Sequence, residues 1–172
     1  MFRIGRHQAN LTLLSFPPDT EEKKKQLGEF FGTFPPPKIA GLVPDYVKAI
    51  KERDAVQKFG ILGFCWGGKV VSLSVKADTN PFSVAATAHP AMVDPADAEG
   101  ITTPFALLAS KEEPHDAVKK FEDALKGPKH VESFKDQIHG WMAARSDLSD
   151  PRVKEEYTRG YKTVLTFFSK NF

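Results

Sequence analysis

The chain has 172 residues, enough for one domain with a buried core. Its 24 basic and 22 acidic residues leave a formal charge of +2, a balance that gives no electrostatic reason to expect nucleic acid or an acidic membrane as partner. A single cysteine excludes an internal disulfide and a cysteine-rich zinc site. With no apolar run long enough for a bilayer and no apolar block behind Met1, a cytoplasmic protein is expected.

Residues 1–18 carry a short apolar patch, Leu11 to Phe16, ended by Pro17-Pro18, and read as a loop or short strand. Asp19 or Thr20 then caps a helix with Glu21 and Glu22 at its positive end and Leu27, Phe30 and Phe31 on one face. Gly32 is expected to end it, and Pro35-Pro36-Pro37 prevents its continuation. Ile39, Leu42, Val43, Tyr46, Val47 and Ile50 form an apolar stripe at helical spacing, expected to pack on a sheet, with Pro44 kinking the helix or breaking its first turn. Phe59 to Phe64 is a buried strand, Gly67 to Ala77 a helix, Phe82 to Ala88 a second strand and Asp94 to Asp97 the start of a short helix. Thr103 to Ala109 is a third strand, followed by a helix between Asp116 and Gly127, and His130 to Lys135 is a weaker fourth strand. Asp150-Pro151 starts the last helix, whose stripe is Val153, Tyr157, Tyr161, Val164, Leu165 and Phe168. Alternation of strand and helix from Phe59 onward predicts a mostly parallel sheet flanked by helices, with chemistry at the carboxyl ends of the strands.

Gly63-Phe64-Cys65-Trp66-Gly67 places a cysteine between two glycines at a strand-to-helix turn. This is the spacing of a nucleophile elbow with sulfur in place of oxygen, as in the α/β-hydrolase fold. Gly63 and Gly67 are expected to remove Cβ atoms that would clash in so tight a turn. The N-terminus of the following helix offers unpaired N–H groups to a thiolate or an oxyanion. A lone cysteine is more often a small buried hydrophobe; the glycine frame is what lifts this one above that reading.

A thiol nucleophile needs a base and a group to orient it. His139 follows the last strand, with Gly140 permitting a tight loop. Glu112, Glu113 and Asp116 follow the third strand, and Glu112 is favoured as the first carboxylate past it. Nucleophile, acid and histidine thereby fall in the order of the α/β-hydrolases. His89, after the second strand, reads as pocket lining or a structural partner rather than a catalytic group. Phe64 and Trp141 are candidates for an apolar pocket wall, and Arg145 for a substrate carboxylate or for plain solvation. The five histidines show no metal-ligand spacing, so no metal is expected.

Gly63-Phe64-Cys65-Trp66-Gly67-Gly68 together with His139-Gly140-Trp141 resembles the dienelactone hydrolase family, over nearly the whole chain. Phe16-Pro17-Pro18-Asp19-Thr20, His89-Pro90 and Trp141 to Arg145 are similar to fungal members. The resemblance implies a cofactor-free hydrolase of small ester or lactone substrates, with Cys65 as nucleophile, His139 as base, Glu112 as acid where the family usually has Asp, and the Trp66 N–H as oxyanion donor. It also implies a single, partial domain over residues 1–172 that lacks the family's N-terminal strands. The open sheet edge this leaves makes a homodimer an expected form. A non-catalytic binding or scaffold protein on the same fold, and a redox-sensing thiol, are the rival readings.

Overall fold

A computed structural model describes residues 18–172, and the expected N-terminal loop or strand lies almost wholly outside them. The described residues fall into two compact units, one ending at Pro35 and one over residues 36–172. In the first, α1 (Glu21–Thr33) is capped by Thr20, whose side chain accepts from the Lys23 N–H at 3.2 Å. Gly32 does not end this helix; it runs one residue further and closes with the Phe34 N–H on Phe30 O at 2.8 Å.

The second unit holds α2 (Pro36–Asp54), β1 (Gly60–Phe64), α3 (Trp66–Lys76), β2 (Val84–Ala88), α4 (Pro95–Ala98), β3 (Phe105–Ser110), α5 (His115–Ala124), β4 (Lys129–Phe134) and α6 (Pro151–Asn171). The four strands are parallel and lie in chain order, β1-β2-β3-β4. Side chains alternate across such a sheet, and the two cores follow that alternation. Ala85, Phe105, Leu107 and Ala109 pack with Val71 and Val75 of α3 and Val118 and Phe121 of α5. Ala86, Ala88, Ala106 and Leu108 pack on the other face with Trp141, Met142 and Val164. The central strands are buried on both faces, as parallel sheets require, which is why they read as continuous apolar runs.

Helix α2 departs from expectation. It packs on α3 and not on the sheet, burying Ala40 and Val47, while Leu42, Tyr46 and Ile50 are exposed. The helix continues through Pro44 without a break. Helix α6 is fastened to β4 by Arg159, which lies 4.0 Å over the Phe134 ring and pairs with both Glu132 and the buried Glu156.

Candidate active site

The elbow is built as its glycine spacing requires, with one change. Cys65 has φ +51° and ψ −121°, a conformation that side-chain-bearing residues hold only at a cost of about 1–3 kcal/mol. Its N–H donates to Ala88 O at 3.3 Å, and its carbonyl accepts from the Gly68 and Ala91 N–H groups, both at 2.9 Å. These bonds tie the strained residue to the end of β2 and to the first turn of α3. A Cβ on Gly63 would lie 2.3 Å from Gly67 O, so Gly63 is required. Gly67 is not: a Cβ there meets nothing within 4 Å. The second required glycine is Gly68, where a Cβ would lie 2.7 Å from Pro90 Cβ. Trp66 and Gly67 are the first two residues of α3, so the sulfur sits at the positive end of the helix.

The loops after β3 and β4 bring the acid and the histidine together. Lys111 N–H donates to Gln137 O at 3.0 Å and joins the two loops. His139 Nδ1 meets Glu113 Oε1 at 2.7 Å. The other oxygen of Glu113 accepts from the backbone N–H of Ser110 at the end of β3. Glu113 thus has both oxygens engaged and its side chain almost wholly enclosed. The expectation for Glu112 is corrected: its N–H donates to Ser110 Oγ at 3.2 Å and its exposed carboxylate lies 3.8 Å from Arg145. Pro114 stands at the cap of α5, and the turn before it folds Glu113 inward and leaves Glu112 outside.

His139 lies between Cys65 and Glu113. Burial pulls its proton affinity down, but the hydrogen bonds to Cys65 and Glu113 and the charges on both outweigh burial and push it up to about 9. His89 goes the other way. Burial, reinforced by the charge on His139, pushes it down to about 4 against the pull of Glu113. The two rings are 5.1 Å apart, edge to face. At neutral pH the first therefore carries a charge and the second does not.

The remaining predicted residues divide. Phe64 is half-buried at the end of β1, its ring 5.7 Å from His89 and 6.3 Å from Tyr161. Trp141 is no pocket wall: it is fully buried against Phe134, with ring centroids 4.3 Å apart, and a Cβ on Gly160 would lie 2.4 Å from its ring. Arg145 donates to His139 O at 2.8 Å, and its side chain covers Gly140, whose φ of +91° makes the loop's tight turn. Its guanidinium thus holds the His139 loop in place. The sequence reading missed Tyr161 as a neighbour of the site, although its place on the α6 stripe carried that signal. Among the described residues no three His, Cys, Asp or Glu side chains gather to hold a metal, and no helix is long and apolar enough to cross a membrane.

A parallel sheet flanked by helices, with a cysteine on a strained turn at the end of one strand and a histidine and carboxylate on later loops, is the arrangement of an α/β-hydrolase fold. The model of the Dienelactone hydrolase family matches residues 12–172, and the chain belongs to that family, one of hydrolases. It is 36% identical over 170 residues to an uncharacterized AIM2 family protein of Schizosaccharomyces pombe, covering 92% of this chain and 66% of that protein. It is 28% identical over 136 residues to Dienlactone hydrolase 1 of Gibberella moniliformis, covering 72% of this chain and 51% of that one. Among solved structures, the dienelactone hydrolase of Anabaena variabilis matches with a TM-score of 0.63 at 15% identity, over 89% of this chain and 68% of that one, which speaks for the fold alone. The chain thus spans 66% of the length of the S. pombe relative and about half that of the Gibberella one.

Proposed function

We propose that this chain hydrolyses ester or lactone bonds of a small substrate through Cys65, His139 and Glu113. What carries the reading is one cluster: a thiol on a strained elbow, near enough to His139 to act on its charge, and a buried carboxylate that holds the Nδ1 of that imidazole. The Cys65 thiolate attacks the carbonyl carbon, forming a C–S bond, and the carbonyl π electrons move to oxygen. That oxyanion rests at the N-terminus of α3, where the Trp66 N–H is the proposed donor. Collapse breaks the ester C–O bond, and protonated His139 gives its proton to the leaving oxygen. Neutral His139 then takes a proton from water as the water attacks the thioester. The C–S bond breaks, the acid is released and the thiolate is restored beside a protonated His139. Glu113 keeps the proton of Nδ1 in place, so the opposite nitrogen is the one that exchanges protons.

The test is alkylation of Cys65 by iodoacetamide at neutral pH, beside hydrolysis of simple aryl esters. Cys65 is expected to react faster than a free thiol and to slow in His139→Ala, with ester hydrolysis lost in both Cys65→Ala and His139→Ala. Equal alkylation rates with and without His139 remove the proposal. Apolar ligand binding without turnover is the behaviour of a non-catalytic member of the fold.

A further inference from the structure

His89 takes no part in the three-residue unit, yet it is built into the same corner at a cost. It follows β2, donates its backbone N–H to Leu108 O at 2.7 Å and has φ +39°, in the left-handed region that side-chain-bearing residues avoid by about 1–2 kcal/mol. Its side chain is 1% exposed, and neither ring nitrogen has a hydrogen-bond partner. Unsatisfied buried polar groups cost about 1–3 kcal/mol each, and a phenylalanine would fill a similar space without that cost. The ring is held between Phe64, at 5.7 Å and tilted by 37°, and His139, at 5.1 Å and 66°. The charged groups acting on it are His139 and Glu113, from the loops after β4 and β3. Cys65 lies one elbow away, its N–H on Ala88 O, and Tyr161 stands beyond Phe64.

The protonated His139 ring is hydrogen-bonded to Glu113 and lies beside Cys65, and its flank needs an environment that is polar without being charged. A second cation there would repel it, and an apolar wall would desolvate it. A neutral imidazole meets both conditions: it carries a dipole and, in this position, no charge. Its strained backbone is held by its N–H on Leu108 O of β3, and the preceding carbonyl, Ala88 O, by the Cys65 N–H, so the ring sits in a fixed place.

We propose that His89 is a positioning residue for His139: its buried ring, set edge to face against that imidazole, fixes it between Glu113 and Cys65 and gives it a polar flank. This inference rests on reading Cys65 and His139 as a reacting pair, and two measurements keep the failures apart. The first is the NMR titration of the His139 ring, which does not depend on any reaction. The second is the pH profile of Cys65 alkylation by iodoacetamide. In His89→Phe the ring volume stays and the nitrogens go. His139 is expected to titrate lower by about one unit, and alkylation near neutral pH to slow by about threefold. His89→Asn keeps a polar group and tolerates positive φ. It is expected to restore the titration to within about half a unit while alkylation stays slow, because the ring that fixes orientation is gone. A folded His89→Phe protein with an unchanged His139 titration overturns the inference. If His89→Phe does not fold, His89→Asn decides: wild-type alkylation in that variant overturns it. Wild-type Cys65 that reacts like a free thiol brings down the pair, and the inference with it.

Discussion

Replacing Glu113 by glutamine isolates the charge that orients His139. The carboxylate has two buried engagements, His139 Nδ1 on one oxygen and the Ser110 N–H on the other. An amide can accept from only one of them. With its oxygen toward Ser110, its NH2 faces Nδ1, which must then accept; the ring proton moves to the nitrogen facing Cys65, and that nitrogen can no longer take a proton. With its oxygen toward His139, its NH2 opposes the Ser110 N–H, and a buried donor is stranded at about 1–3 kcal/mol. Either way the negative charge that raises His139 is lost. A base in the wrong tautomer or poorly held forfeits about 10²–10⁴ in rate. The assay is kcat/KM for an aryl ester together with the alkylation rate of Cys65, and the control is Glu112→Gln, whose carboxylate is exposed beside Arg145. Glu113→Gln is expected to lose at least about a hundredfold in kcat/KM and Glu112→Gln less than about threefold. A Glu113→Gln enzyme as fast as wild type, with Glu112→Gln impaired, refutes the reasoning.

Three further outcomes are expected. His139, raised to about 9 from its ordinary 6.5, contributes stability that is full below 6.5 and is lost as pH rises through about 9. His89, held at about 4, contributes stability that is present above 6.5 and lost as pH falls through about 4, so urea midpoints should peak near the ordinary histidine value. His139→Gln should flatten the alkaline limb of that profile and His89→Asn the acid limb. Gly63→Ala puts a Cβ 2.3 Å from Gly67 O and should destabilise by about 3 kcal/mol, whereas Gly67→Ala meets nothing and should stabilise α3 by about 0.5 kcal/mol; thermal melts compare the two. Gly160→Ala drives a methyl group into Trp141 and Met142, which stand just past His139. It should lower stability by about 1–3 kcal/mol and ester hydrolysis with it.

Where the sequence spoke through long-range pattern, it was legible. The buried strands were apolar runs, the alternation with helices foretold parallel pairing, and Cys65 and His139 followed strand ends. What was not legible depended on one-residue choices and on close packing. Glu112 and Glu113 differ by a single position, and the selection rests on a backbone donor, Ser110 N–H, that no side-chain pattern encodes. Gly67 and Gly68 are neighbours, and only the approach of Pro90 shows which must lack a Cβ. In α2 the expected stripe shares only Val47 with the buried line, which otherwise runs through Ala40, a side chain too small to stand out in the pattern but small enough to let two helices come close. Both β2 and β3 begin two residues later than expected. Asn80 bridges their entries, holding the Phe82 N–H and Thr103 Oγ1 in a turn ahead of the ladder. The inward turn of Trp141 was hidden for the same reason: Gly160, on the last helix, makes the room for it.

The central claim is that Cys65 carries the acyl group, and intact-mass analysis during turnover of an aryl acetate, with peptide mapping, tests it most directly. The account predicts one acetyl group, confined to Cys65, that forms and decays in the wild-type protein and does not form in His139→Ala on the same timescale. Ester hydrolysis that proceeds with Cys65 unmodified, or at the wild-type rate in Cys65→Ala, would contradict it.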